Sequence, residues 1–138
     1  MKLVLTSALF GALFLVSGCG TQCESISRQY NACPIGKRFI QIDTENFCGQ
    51  VDAFNARAAA AGQQCTPLWT AHLACWQQHI SSICDTNFAD CDDSAIAWQD
   101  CVRTYCEAVP ADKYEPECQG GEFLDDPLSL PSPFQSGF

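Results

Sequence analysis

Apolar residues recur through the body of this chain at spacings of three and four, the period of an amphipathic helix, and no stretch shows the sustained alternation of a strand. Four segments carry the pattern. The first, CESISRQYNAC, puts Cys23, Ile26, Tyr30 and Cys33 on one face and is stopped by Pro34-Ile35-Gly36. The second runs from about Thr44 to Gln64, with Phe47, Val51, Phe54, Ala58, Ala61 and Cys65 as a stripe. Its stretch from Arg57 to Ala61 is rich in strong helix formers. The third opens at Thr66-Pro67, a capping residue followed by a proline at the first helical position, and continues through Leu68, His72, Cys75, Trp76 and Ile83 to Cys84. The fourth covers about Asp92 to Ala108, with Ala95, Trp98, Cys101, Val102, Tyr105 and Cys106 inward and Asp93, Gln99, Asp100 and Arg103 outward. The expected fold is all-α, a small disulfide-stapled helical hairpin bundle of about four helices.

The first residues read differently. Lys2 precedes an apolar run from Leu3 to Val16, and the small residues Ser17 and Gly18 follow, which is the plan of a secretory signal. A run of ~14 residues is too short for a permanent span, which needs ~20. Val16-Ser17-Gly18-Cys19 resembles the lipobox of bacterial lipoproteins, a branched apolar residue, two small ones and the cysteine that becomes the acylated N-terminus. The resemblance implies a signal peptide over 1–18 and a lipid on Cys19. Several acyl chains, at ~0.8 kcal/mol per buried CH₂, anchor a protein durably. In that family an aspartate after the cysteine favours inner-membrane retention. Here that position is Gly20, so the resemblance implies the outer membrane in a host with two membranes.

Export changes the reading of the cysteines. Of eleven, ten remain when Cys19 is set aside: Cys23, Cys33, Cys48, Cys65, Cys75, Cys84, Cys91, Cys101, Cys106 and Cys118. An even number in an oxidising compartment predicts five disulfides. The C-x2-C pairs of zinc and thioredoxin-like centres are missing. Three segments share C-x9-C (Cys23 to Cys33, Cys65 to Cys75, Cys91 to Cys101), each with a ring seven residues after its first cysteine: Tyr30, His72 and Trp98. Offsets of seven and ten stay near one helix face, so these cysteines belong at the edge of a buried stripe. If the third helix runs to Cys84 and turns within six residues, Cys84–Cys91 and Cys75–Cys101 are level in an antiparallel hairpin, with Cys33–Cys48 closing the first hairpin. C-x9-C pairs also mark the small twin-hairpin proteins of mitochondria, whose register would instead give Cys65–Cys101 with Cys75–Cys91. The lipobox and the extra cysteines depart from that pattern. Plant seed inhibitors and storage proteins share the cysteine number but carry adjacent Cys-Cys and Cys-x-Cys, which this chain lacks. The chain most resembles the loose class of cysteine-rich bacterial envelope lipoproteins.

Charge divides the body in two. Residues 19–84 hold Glu24, Asp43, Glu45 and Asp52 against Arg28, Lys37, Arg38 and Arg57, whereas residues 85–138 hold twelve acids against Arg103 and Lys113. So negative a half argues against nucleic acid and against lying on anionic lipid. After a cysteine-rich domain over 19–118, residues 119–138 are rich in Gly, Pro, Ser and acids and read as a flexible acidic tail.

Candidate chemistry is sparse. His72 and His79 lie seven apart in the third segment with Cys75 between them, a face that would suit a metal if Cys75 were reduced. Asp85, Asp90, Asp92 and Asp93 crowd the turn DTNFADCDD, where oxygen ligands could hold calcium. The EF-hand pattern fails, because Asp90 and Ile96 occupy the places of its glycine and its last acid. The competing reading has the aspartates capping the fourth helix. No G-x-S-x-G, H-E-x-x-H or phosphate-cradling glycine loop occurs, so no catalytic residue and no cofactor are expected. The expected function is a non-enzymatic, lipid-anchored envelope protein with a binding or structural role. Its partners would be the membrane, through the lipid, and an envelope or extracellular protein. The alternative is a metal-binding protein or small metal-dependent enzyme using His72, His79 and the acidic turn 85–93.

Overall fold

The computed structural model describes residues 19–37, 41–109 and 118, so the expected signal peptide over 1–18 and the expected flexible tail over 119–138 lie outside the described residues. Four α-helices make the bundle: α1 (Cys19–Asn31), α2 (Thr44–Ala60), α3 (Cys65–Gln78) and α4 (Asp92–Ala108). Short 3₁₀ turns follow α1 at Ile35–Lys37 and α3 at Ile80–Ser82. No strand occurs among the described residues.

Local chemistry accounts for most of the boundaries. Asp43 caps α2, its Oδ1 accepting from the Asn46 N–H at 3.4 Å, and Glu45 adds negative charge to the first turn. The same helix ends at Gly62, whose φ of +85° is the left-handed conformation glycine adopts without a Cβ penalty. There the Gln63 N–H donates to the Ala58 carbonyl and the Gly62 N–H to that of Ala59, a Schellman closure. The last residue before Pro110, Val109, is extended and stops α4, as a residue ahead of proline prefers.

Two expected caps are corrected. The N-cap of α3 is Gln64, with no side-chain bond, and Thr66-Pro67 sit inside the first turn, where proline still costs no hydrogen bond. The N-cap of α4 is Cys91, also without a side-chain bond. Asp92 and Asp93 therefore favour this helix end by charge against its dipole, not by capping it.

The core is a layer of rings shared by three helices. Trp69 and Trp98 pack with centroids 4.7 Å apart, Phe54 meets Trp98 and Tyr105 edge-on at 6.1 and 5.3 Å, and Phe47 meets Trp69 at 6.1 Å. Such pairs add ~0.5–1.5 kcal/mol each beyond their burial. Ile26, Val51, Ala58 and Leu73 are buried in the same core. One buried polar pair is satisfied inside this layer, where the Trp98 Nε1–H donates to Asn55 Oδ1 at 3.3 Å. The α3 face is turned slightly from the expected one. Trp69, Leu73 and Trp76 are buried while Leu68 and Cys75 lie at the margin, and Ala61 of the second stripe is exposed.

All ten body cysteines are paired: Cys23–Cys48, Cys33–Cys84, Cys65–Cys101, Cys75–Cys91 and Cys106–Cys118. The expected pairs Cys84–Cys91, Cys75–Cys101 and Cys33–Cys48 are thereby overturned in favour of the twin-hairpin register. The cause is the end of α3. The helix stops at Gln78, and the chain makes a 3₁₀ turn, with the Ser82 N–H on the His79 carbonyl, instead of running to Cys84. The hairpin connection therefore spans residues 79–91, and the residues level across it become Cys75 with Cys91 and Cys65 with Cys101. Their Cα atoms are 5.8 and 5.6 Å apart. Released from α3, Cys84 reaches the end of α1 and pairs with Cys33.

Candidate functional site

The residues singled out for chemistry do not converge. His72 points into the ring layer and is 1% exposed, packed against Trp69 at 5.5 Å and Trp76 at 6.4 Å. Its Nδ1 lies 2.9 Å from Ser94 Oγ, and that hydroxyl donates to the Cys91 carbonyl at 2.7 Å. With the serine proton so directed, Nδ1 must carry a hydrogen and donate to the serine oxygen. The sense is opposite to that of a base-activated serine, whose proton is aimed at the imidazole. The pair holds the start of α4 to α3, and the C-x9-C spacing fixes it there, since His72 lies three residues before Cys75 and Ser94 three after its partner Cys91.

His79 has a different environment. It sits just past the last residue of α3, half-exposed, its ring 5.1 Å from Phe88 and its Nδ1 4.0 Å from Asp90 Oδ2. Phe88 in turn packs on Trp76 at 5.4 Å, which pins the loop to the bundle. Seven residues on an unbroken helix would have put the two histidines on one face, but α3 ends between them. Cys75, the third member of the imagined metal face, is oxidised.

In the acidic turn, Asp85 Oδ1 accepts the Asn87 N–H at 3.0 Å, a local turn bond. Asp85, Asp90 and Asp93 are exposed and Asp92 is half-buried at the head of α4. Among the described residues no group of three or more His, Cys, Asp or Glu side chains is disposed to hold one metal ion.

Electrostatics distinguishes one surface. On the described part of the second half, Asp85, Asp90, Asp92, Asp93, Asp100 and Glu107 face a single base, Arg103, which pairs with Asp100 at 2.8 Å. On the described part of the first half, Glu24, Asp43, Glu45 and Asp52 are accompanied by Arg28, Lys37 and Arg57, and Glu24 pairs with Arg28 at 2.6 Å. Burial raises the Asp52 carboxyl above its ordinary value of 3.8. Sequence reasoning missed the polar pairs His72–Ser94 and Asn55–Trp98, because a polar residue on an apolar stripe does not announce which distant side chain satisfies it. Trp69 is buried with Trp76, in keeping with the four-and-three spacing Cys65, Trp69, His72, Trp76.

No helix among the described residues is long and apolar enough to cross a membrane. Comparisons with protein-family models, with curated proteins and with solved structures find no match to this chain.

Proposed function

We propose that this chain is a non-enzymatic, lipid-anchored protein of the bacterial cell envelope, whose helical module does binding or structural work. The observation that carries the reading is the Val16-Ser17-Gly18-Cys19 motif immediately ahead of a body with ten paired cysteines. Complete pairing suits an oxidising compartment and leaves Cys19 as the one thiol outside the framework, which is what acylation of that residue requires. The outer membrane is the expected address in a host with two membranes, because Gly20 follows the cysteine. An acidic surface is what the anchored module offers to an envelope or extracellular partner.

The test is the Cys19→Ser variant, followed by radiolabelled palmitate incorporation and membrane fractionation. The wild type labels and pellets with membranes, whereas the variant does neither. A serine variant that still labels and pellets would overturn the reading. Alkylation of the denatured domain beyond Cys19 checks the compartment, with no thiol labelled before reduction and ten after. Two or more free thiols in exported protein would revive the metal alternative, as would stoichiometric zinc, copper or calcium surviving dialysis.

A further inference from the structure

The anchor has almost no tether. Only Gly20, Thr21 and Gln22 separate Cys19 from Cys23, and Cys23 is 1% exposed and disulfide-bonded to Cys48 of α2. Gln22 is itself held, its Nε2 donating to the Leu73 carbonyl of α3 at 3.5 Å. Backbone helix runs through the interval from Cys19. Four residues of helix cover ~6 Å, and even a fully extended chain covers no more than ~14 Å. A lipid on Cys19 therefore fixes the bundle beside the bilayer, with less reach than the width of two packed helices (~20 Å across at ~10 Å each).

The packing order then assigns the sides. α1 packs on α2 and α3. α4 packs on α3 and meets α2 through Trp98 and Tyr105 against Phe54, so α1 and α4 occupy opposite corners of the bundle. The charges follow the same division. On the α1 side Glu24 is neutralised by Arg28, while the outward positions of α4 include Asp93, Asp100 and Glu107. Anionic headgroups repel that acidic face more than the other, where Glu24, Asp43, Glu45 and Asp52 stand with Arg28, Lys37 and Arg57. We infer that the edge formed by the first half of α1 and the Asn46–Gly49 turn of α2 is apposed to phospholipid headgroups, and that the acidic face of α4 is held pointing away from the membrane. The inference rests on the lipid anchor proposed above and adds an orientation: whatever the module binds, it meets the α4 side first.

The measurement is made on the chain from Cys19 to its end, with its five disulfides formed and the Cys19 thiol coupled to a maleimide phospholipid in nanodiscs containing anionic lipid and a gadolinium-chelating lipid. Amide signals of residues 22–28 and 46–50 are expected to lose most of their intensity to the paramagnetic headgroups, and those of residues 96–107 to retain most of theirs. Equal loss on both sides, or greater loss along α4, overturns the inference. A second protein with ~15 Gly and Ser residues inserted after Gly20, a coil of ~21 Å root-mean-square length, should level the two patterns. A pattern unchanged by the insertion would show that the short tether does not set the orientation. Chemical coupling keeps this result independent of palmitate labelling in cells. Failure to label defeats the lipoprotein reading, and failure of the paramagnetic pattern defeats the orientation alone.

Discussion

The α3–α4 hairpin and the α1–α2 corner begin from similar sequence and are held together in different ways. Both α3 and α4 lie on C-x9-C segments, and two disulfides ~15 Å apart, at 1.5 Å per residue, cross-brace them like rungs. Between the rungs lie Trp69, His72 and Trp98. α1 carries the same motif, but α2 has one cysteine, Cys48, and ten residues on stands the buried Ala58. Cys23 takes Cys48, and Cys33 is left to pair far away with Cys84. The corner is then closed by a side chain. Asn31 Oδ1 accepts the Ile42 N–H, and its Nδ2 donates to the Ile42 carbonyl, both at 2.8 Å. A repeated motif gives a ladder only where its partner helix repeats it too. Elsewhere the spare cysteine ties the corner to the hairpin and makes one body of the two.

The comparison is broken most severely at the ring layer. Trp98→Ala removes a fully buried indole that touches Trp69 and Phe54 and leaves Asn55 unpaired, so it should cost ~3–5 kcal/mol in chemical denaturation and lower the midpoint without changing helix content in the folded state. A loss below ~1 kcal/mol would mean the layer is not the shared core of α2, α3 and α4.

Next comes the corner. Asn31→Ala leaves both backbone groups of Ile42 without their bonds and should cost ~1–3 kcal/mol. Native-state hydrogen exchange should show the effect at Ile42 to Asn46 while the amides of α3 and α4 keep their protection. Uniform loss of protection would show that corner and hairpin open as one unit.

The disulfides sharpen the contrast by loop length. Removing Cys65–Cys101, with a sequence separation of 36, should cost more than removing Cys106–Cys118, with a separation of 12. The chain-entropy difference is ~1 kcal/mol. The paired alanine variants, compared by urea midpoint, check this, and the reverse order would point to strain relief or residual structure as the dominant effect.

The smallest effect lies on α2. Burial raises the folded-state pKa of Asp52 above 3.8, so its ionised form is disfavoured in the folded protein. Below the unfolded value both states are protonated and there is no penalty. As pH rises through the folded value the penalty sets in and stays. Asp52→Asn should therefore flatten a small decline in stability starting near pH 4, read from thermal midpoints across pH 3 to 7. An identical profile for variant and wild type would show that the partly desolvated Asp52 carboxyl does not contribute.

The sequence by itself determined the helices, because period and caps are local: the stripe Phe47, Val51, Phe54 and Ala58 is buried as expected, and so are Tyr30, His72 and Trp98 at their equivalent places in the three C-x9-C segments. It also determined that the body cysteines would pair, since their even number needs no geometry. What only the tertiary structure decided was which cysteine met which, and where each histidine went. Both turned on a single local event, the end of α3 at Gln78, which moved the hairpin register from Cys84–Cys91 to Cys75–Cys91 and put His79 on a loop facing Asp90 while His72 stayed in the core. A helix end without a strong stop signal such as glycine or proline is set by the contacts on either side of it. Here those are Cys33 drawing Cys84 to α1 and Phe88 packing on Trp76, and neither is visible until the chain has folded.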